Sequence, residues 1–141
     1  MKRVLVDTGP LVAILSRRDE HHTICVHALR DLPGPVFSCW PVITEAVWLL
    51  RAYPRAVQQL LKSIGSGFVE LLPLGSTEAK AIADVMKRYE NTRPQLADAT
   101  LVYLADRDGI DTIFTLDQRD FSVYHSVRKR PFRIFPGARD R

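Results

Sequence analysis

Four carboxylates stand where a charge is costly: Asp7, Glu45, Asp98 and Asp117. Asp7 ends the strand-like run Val4-Leu5-Val6, and Asp117 follows Ile113-Phe114-Thr115-Leu116. An Asp after a strand is usually a turn residue or a helix cap, so neither is diagnostic alone. Glu45 shares a helical face with Val42, Ala46 and Leu49, which puts its charge inside an apolar stripe. Asp98 repeats the pattern, with Leu101, Val102 and Ala105 on its face. It also falls in the first turn of its helix, where negative charge is favourable. A buried carboxylate must be partnered. The partner is a structural Arg, a backbone cap or a metal ion. An all-oxygen donor set suits a hard cation, Mg²⁺ or Mn²⁺. One or two such ions can activate a water, orient a phosphodiester and stabilise the leaving oxygen.

These acids converge only if the elements bearing them do. Strand candidates cover 2–6, 36–38, 68–72, 112–116 and 131–135, the last starting with Pro and so placed at an edge. Between them lie amphipathic helical stretches. The first follows Asp7-Thr8-Gly9-Pro10, with Thr8 or Gly9 as cap and Leu11, Ile14 and Leu15 as its stripe. Others cover 20–32, 41–53 and 54–65; one follows a Ser76 cap, and one runs from Pro94 to Gly109. Alternating strands and helices predict an α/β domain with a largely parallel sheet. Ligands bind such sheets at the carboxyl ends of the strands, where Asp7 and Asp117 lie.

Composition narrows the function classes. The chain has 141 residues, 46% hydrophobic and 26% charged, as expected for one globular domain rather than a disordered or collagen-like chain. No apolar run has the length of a membrane span or a secretory signal, so the expected compartment is the cytoplasm. Cys25 and Cys39 form no CxxC pair and are expected to be reduced, buried thiols. Of a net charge of +4, residues 121–141 carry +5 and the first 120 residues −1. A basic end suggests either a polyanion partner or a solvated tail. Its candidates for RNA-backbone contact are Arg128, Lys129, Arg130 and Arg133. Alternatively, these charges discourage edge pairing of the last strand.

Other motifs are weaker. Asp7-Thr8-Gly9 matches the aspartic-protease triplet, but that fold needs two such loops. No GxGxxG, GxxxxGK[ST] or GxSxG is present. A receiver domain also clusters acids at strand ends, but the fifth strand lacks the Lys it needs. His21, His22, Cys25 and His27 are expected to form an ordinary helix face rather than a zinc site. Trp40, Trp48 and Tyr103 could stack bases, with core packing the default expectation.

Four segments, each placing one acid, carry a resemblance: VLVDTGPLVAIL, CWPVITEAVWLL, QLADATLVYLA and IFTLDQRDF. In order and separation they resemble the PIN-domain ribonucleases, and more narrowly the VapC-type toxins of bacterial toxin–antitoxin pairs. The HHTIC stretch is also similar to this branch. The resemblance covers roughly residues 2–136 and treats 1–141 as a single PIN domain with a basic C-terminal segment, 128–141. It implies a Rossmann-like α/β/α sandwich around a five-stranded parallel sheet. It implies a Mg²⁺- or Mn²⁺-dependent endoribonuclease, with Asp7, Glu45, Asp98 and Asp117 as catalytic, metal-holding acids. Thr8 and Thr115 would orient a ligand or water. Asp120 would share the role of Asp117 or, as the favoured expectation, cap a short helical turn. A small antitoxin that blocks the site and a homodimer are implied as partners. Two alternatives stand beside this: a PIN nuclease in RNA processing outside toxin–antitoxin biology, and a non-catalytic PIN scaffold that binds RNA or protein.

Overall fold

In the computed structural model, residues 3–125 and 130–137 are described, and short strands alternate with helices along them. The strands are β1 (Val4–Val6), β2 (Val36–Ser38), β3 (Val69–Leu71), β4 (Thr112–Phe114) and β5 (Arg133–Phe135). All pair in parallel, in the order β3-β2-β1-β4-β5. The two central strands, β1 and β4, are buried at every position, which explains their unbroken apolar runs. The edge strands carry exposed charges instead, Glu70 on β3 and Arg133 on β5.

The helices are α1 (Thr8–Leu15), α2 (His22–Arg30), α3 (Trp40–Leu49), α4 (Pro54–Gly65), α5 (Ala79–Arg88), α6 (Leu96–Asp108) and α7 (Gln118–Val123). They flank the sheet. α1 packs on α2 and α3, and α6 lies against both α3 and α5. α6 is the most enclosed, burying Ala97, Ala99, Thr100, Leu101, Val102, Leu104 and Ala105. Each large apolar side chain so buried contributes about 1.5–3 kcal/mol. Gly109 ends α6 in the left-handed region at φ 68°, a conformation glycine adopts without steric cost.

The strand order carries the functional consequence. The chain runs outward from β1 through β2 to β3, then returns to the other side of β1 for β4 and β5. The connections after β1 and β4 therefore diverge and open a crevice at their carboxyl ends. Asp7 follows β1 there, with its backbone N–H donating to the Phe114 carbonyl at 2.9 Å.

Several local expectations are corrected. Asp7, not Thr8 or Gly9, caps α1. The helix expected over 41–53 stops at Leu49, and Pro54 disfavours a helical Tyr53. The turn at Ser76 is a short 3₁₀ segment (Ser76–Glu78), and Glu78 Oε1 accepts from the Gly75 N–H at 2.8 Å. Trp40 and Trp48, expected in the core, are 58% and 62% exposed. α3 buries only the stripe Val42, Ile43 and Ala46, so its Trp-bearing face is left outside. Leu49 is likewise exposed rather than continuing the stripe of Glu45. Tyr103 is half-buried, and its hydroxyl donates to Glu78 Oε2 at 2.7 Å. Among the histidines, His22 Nδ1 donates to the Ala13 carbonyl at 2.7 Å, tying α2 to α1. Both cysteines are buried, and neither is in a disulfide.

Candidate active site

Asp7 leaves β1 with extended backbone and is almost wholly buried. Its Oδ1 accepts the Thr8 N–H at 2.8 Å, and its Oδ2 accepts the Thr115 hydroxyl at 2.9 Å. The Thr115 Oγ1 in turn accepts the Asp117 N–H at 2.9 Å. One buried hydroxyl thus joins the ends of β1 and β4. Asp117 Oδ1 accepts the Asp120 N–H at 3.1 Å and so caps α7. This reverses the expected division of labour: Asp117 is the cap, and Asp120 lies in the first turn behind it.

Asp98 occupies the third position of α6, and its Oδ2 faces the Gln95 N–H at 3.4 Å, a long contact. Glu45 comes from α3, which packs on α6. Asp7, Glu45, Asp98, Asp117 and Asp120 all line one cavity of about 540 Å³, together with Arg93. Gly9 also lines it. A Cβ there would meet Leu116 Cδ1 at 3.4 Å, an ordinary van der Waals contact.

The crowding perturbs the acids. Burial, reinforced by the charges of Glu45 and Asp117, pushes Asp7 up to about 6 despite its two hydrogen-bond donors. Burial and then the Asp7 charge push Asp98 up to about 7. Asp120 is also raised, by burial and then by Asp117. Cys39 is pushed up to about 12, first by burial, and so stays a neutral thiol rather than a soft ligand. The available donors are therefore carboxylate and hydroxyl oxygens, and Asp7, Asp98 and Asp120 are destabilised as anions. That chemistry fits a hard cation. Among the described residues, no three His, Cys, Asp or Glu side chains stand close enough together to hold one metal ion.

Arg93 lines the cavity although the sequence did not suggest it. Arg93 holds a left-handed backbone at φ 53°, uncommon outside glycine. Its only signal was the Pro that follows it. Tyr124 is fully buried, and among the described residues its hydroxyl has no hydrogen-bond partner. Burial first, then the charges of Asp98, Asp120, Asp117 and Asp7, raise it strongly, so it remains a neutral phenol. Thr8 is similar: its Oγ1 is buried and unpartnered among the described residues.

The basic segment behaves differently from the acids. Arg128 and Lys129 lie outside the described residues. Arg130 and Arg133 are exposed. Arg133 is in register with Thr112 at the start of β4, the sheet end opposite the acids, and its Nε lies 4.0 Å from Asp111. The fold does not bring Arg133 to the cavity.

Among the described residues, no helix is long and apolar enough to cross a membrane. The profile of the PIN domain matches residues 4–125. Ribonuclease VapC26 of Mycobacterium tuberculosis is 27% identical over 135 residues, covering 94% of this chain and 100% of that protein. The crystal structure of Mycobacterium tuberculosis VapC20, a sarcin–ricin loop cleaving toxin, has a TM-score of 0.79 at 22% identity. It covers 91% of this chain and 99% of its own, a likeness of fold. With its parallel five-stranded sheet and a profile match over most of its length, the chain belongs to the PIN-domain family.

Proposed function

We propose that this PIN domain is a divalent-cation-dependent endoribonuclease of the VapC toxin type. The observation that carries this reading is the single cavity at the β1/β4 ends, lined by five carboxylates, among which Asp7, Asp98 and Asp120 hold their protons more tightly than usual. Asp7, Glu45, Asp98 and Asp117 would hold Mg²⁺ or Mn²⁺. When bound, the ion supplies Lewis acidity: it lowers the pKa of water and neutralises charge on phosphate oxygens. The substrate class is RNA, supported by the ribonuclease VapC26 and by the fold shared with VapC20. A small antitoxin and a second copy of the chain are the proposed partners. The whole chain, 1–141, is taken as one domain, since β5 extends the sheet beyond the matched segment.

The chain's own residues have distinct tasks in this scheme. Thr115 holds Asp7 in one rotamer and ties it to the Asp117 backbone, so two ends of the cavity move together. Asp98 and Glu45 bring negative charge from α6 and α3 to the same space. Thr8 has a hydroxyl that is unpartnered among the described residues, and Asp120 a carboxylate, for ordering water beside the scissile phosphate. Arg93 balances charge at the rim, where the RNA backbone enters.

Purified protein is incubated with structured RNA and Mg²⁺ or Mn²⁺, beside EDTA and Asp98→Asn controls. Cleavage by the wild type alone, leaving 5′-phosphate and 3′-hydroxyl ends, is the expected result. A 2′,3′-cyclic phosphate would mean attack by the ribose hydroxyl and would overturn the hydrolytic scheme. No cleavage together with no Mn²⁺ binding would favour a non-catalytic scaffold.

A further inference from the structure

Two tryptophans on one helical face stay in water. Trp40 and Trp48 are 58% and 62% exposed, and Leu96 opposite them is 54% exposed. Trp40, Thr44 and Trp48 recur at every fourth residue of α3, so they share a ridge. Along the axis the two indoles are about 12 Å apart. The ridge forms one wall of an apolar groove of about 510 Å³. Glu45 and Gln95 line both this groove and the acidic cavity, so the two adjoin. The Arg51 guanidinium lies 3.8 Å from the centre of the Trp48 ring, and its Nη1 donates to the Trp48 carbonyl at 2.8 Å.

We infer that the Trp40–Trp48 face of α3 is a stacking shelf for unpaired bases of the RNA strand whose backbone enters the acidic cavity. The inference rests on the ribonuclease reading and specifies its substrate as single-stranded or looped. Exposed aromatic rings beside cations are the recurring platform for unpaired nucleotides, because every base presents a π-face. Arg51 braces Trp48 and adds positive charge beside the groove, and Arg93 does the same at the cavity rim. Adjacency to the carboxylates argues for this occupant over a protein helix: a strand whose phosphate sits in the cation-seeking cavity places its neighbouring bases beside the groove.

The molecule carries its own reporter, since Trp40 and Trp48 are its only tryptophans. A fluorescein-labelled oligoadenylate is titrated in EDTA, so binding is read without cleavage. Anisotropy follows the oligonucleotide, and intrinsic emission follows the indoles. The expected result is quenching of emission in step with binding, none with a blunt duplex, and a rise in Kd of roughly 5- to 150-fold for Trp48→Ala. Trp40→Ala should weaken binding similarly, whereas Trp48→Phe should keep most of the affinity. Both sites are exposed, so thermal unfolding should show these variants folded. Absent binding, binding with unchanged emission, or unchanged Kd in the Trp40→Ala/Trp48→Ala double variant would each overturn the shelf. So would a double variant that only turns a dimer into a monomer in sedimentation, which would make this a protein–protein face. Metal-dependent cleavage without quenching refutes the shelf and leaves the nuclease; quenching without cleavage does the reverse.

Discussion

Replacing Asp98 by Asn should make the cation-free protein more stable while destroying its proposed function. The substitution keeps size and keeps an acceptor for the Gln95 N–H, so the α6 cap is retained. It removes one charge from a cluster in which Asp98 is raised from 3.8 to about 7. A wholly desolvated carboxylate shifted that far would cost about 4 kcal/mol when ionised. Asp98 is half-buried and lines an open cavity, so solvent screening reduces this to about 1–2 kcal/mol. The native state holds the proton more tightly than the unfolded chain, so wild-type stability falls as pH rises from about 4 to about 7. Below about pH 4 Asp98 is protonated in both the folded and the unfolded chain, so the wild type should match the variant there, and the gap should open from pH 4 upward. At pH 8, in EDTA, the variant should melt roughly 3–8 °C higher. Adding Mn²⁺ at pH 8 should raise the wild-type melting temperature and leave that of the variant nearly unchanged. Differential scanning fluorimetry across pH, with and without Mn²⁺, reads all of this. A variant that is less stable than wild type at pH 8 in EDTA would refute the repulsion argument and make Asp98 a structural cap.

Thr115→Val removes the donor to Asp7 and the acceptor for the Asp117 N–H, and should cost about 1–3 kcal/mol in chemical denaturation. It should also weaken Mn²⁺ binding in calorimetry, because Asp7 loses a group that favours its charged form. Asp117→Ala should destabilise by about 1 kcal/mol through loss of the α7 cap, while Asp117→Asn keeps the cap and loses only charge. Equal melting temperatures for the two would show that capping contributes nothing. Arg93→Ala should weaken RNA binding and reduce its salt dependence by about one phosphate contact, whereas Arg133→Ala should do neither if RNA follows the cavity. The opposite ranking in a salt-titrated binding assay would place RNA on the β5 side of the sheet.

The acids were legible because charge interrupts an apolar pattern at Glu45 and Asp98 and terminates strands at Asp7 and Asp117. Their pairing logic was not. Asp117 and Asp120 are three residues apart and chemically identical, and only the start of α7 decides which one caps it. The tryptophans were misplaced because an indole is apolar in any pattern. Their exposure follows from α3 having a single buried stripe, which depends on where α1 and α6 sit. Arg93 gave almost no signal, since a left-handed turn before Pro has no side-chain signature of its own.

The sequence by itself determined the alternation of strands and helices, the parallel sheet with β5 at its edge, and the four acids. All are encoded in local apolar periodicity and in its breaks. The tertiary structure decided which distant residues share one space. Crossing back from β3 to β4 beside β1 opens the crevice, and the register of β1 with β4 sets Thr115 within 2.9 Å of Asp7. The register of β5 with β4 carries Arg133 to the opposite end of the sheet. Proton affinities in the cavity belong to this second level as well, because they arise from burial and from charges on separate elements, neither of which is visible in chain order.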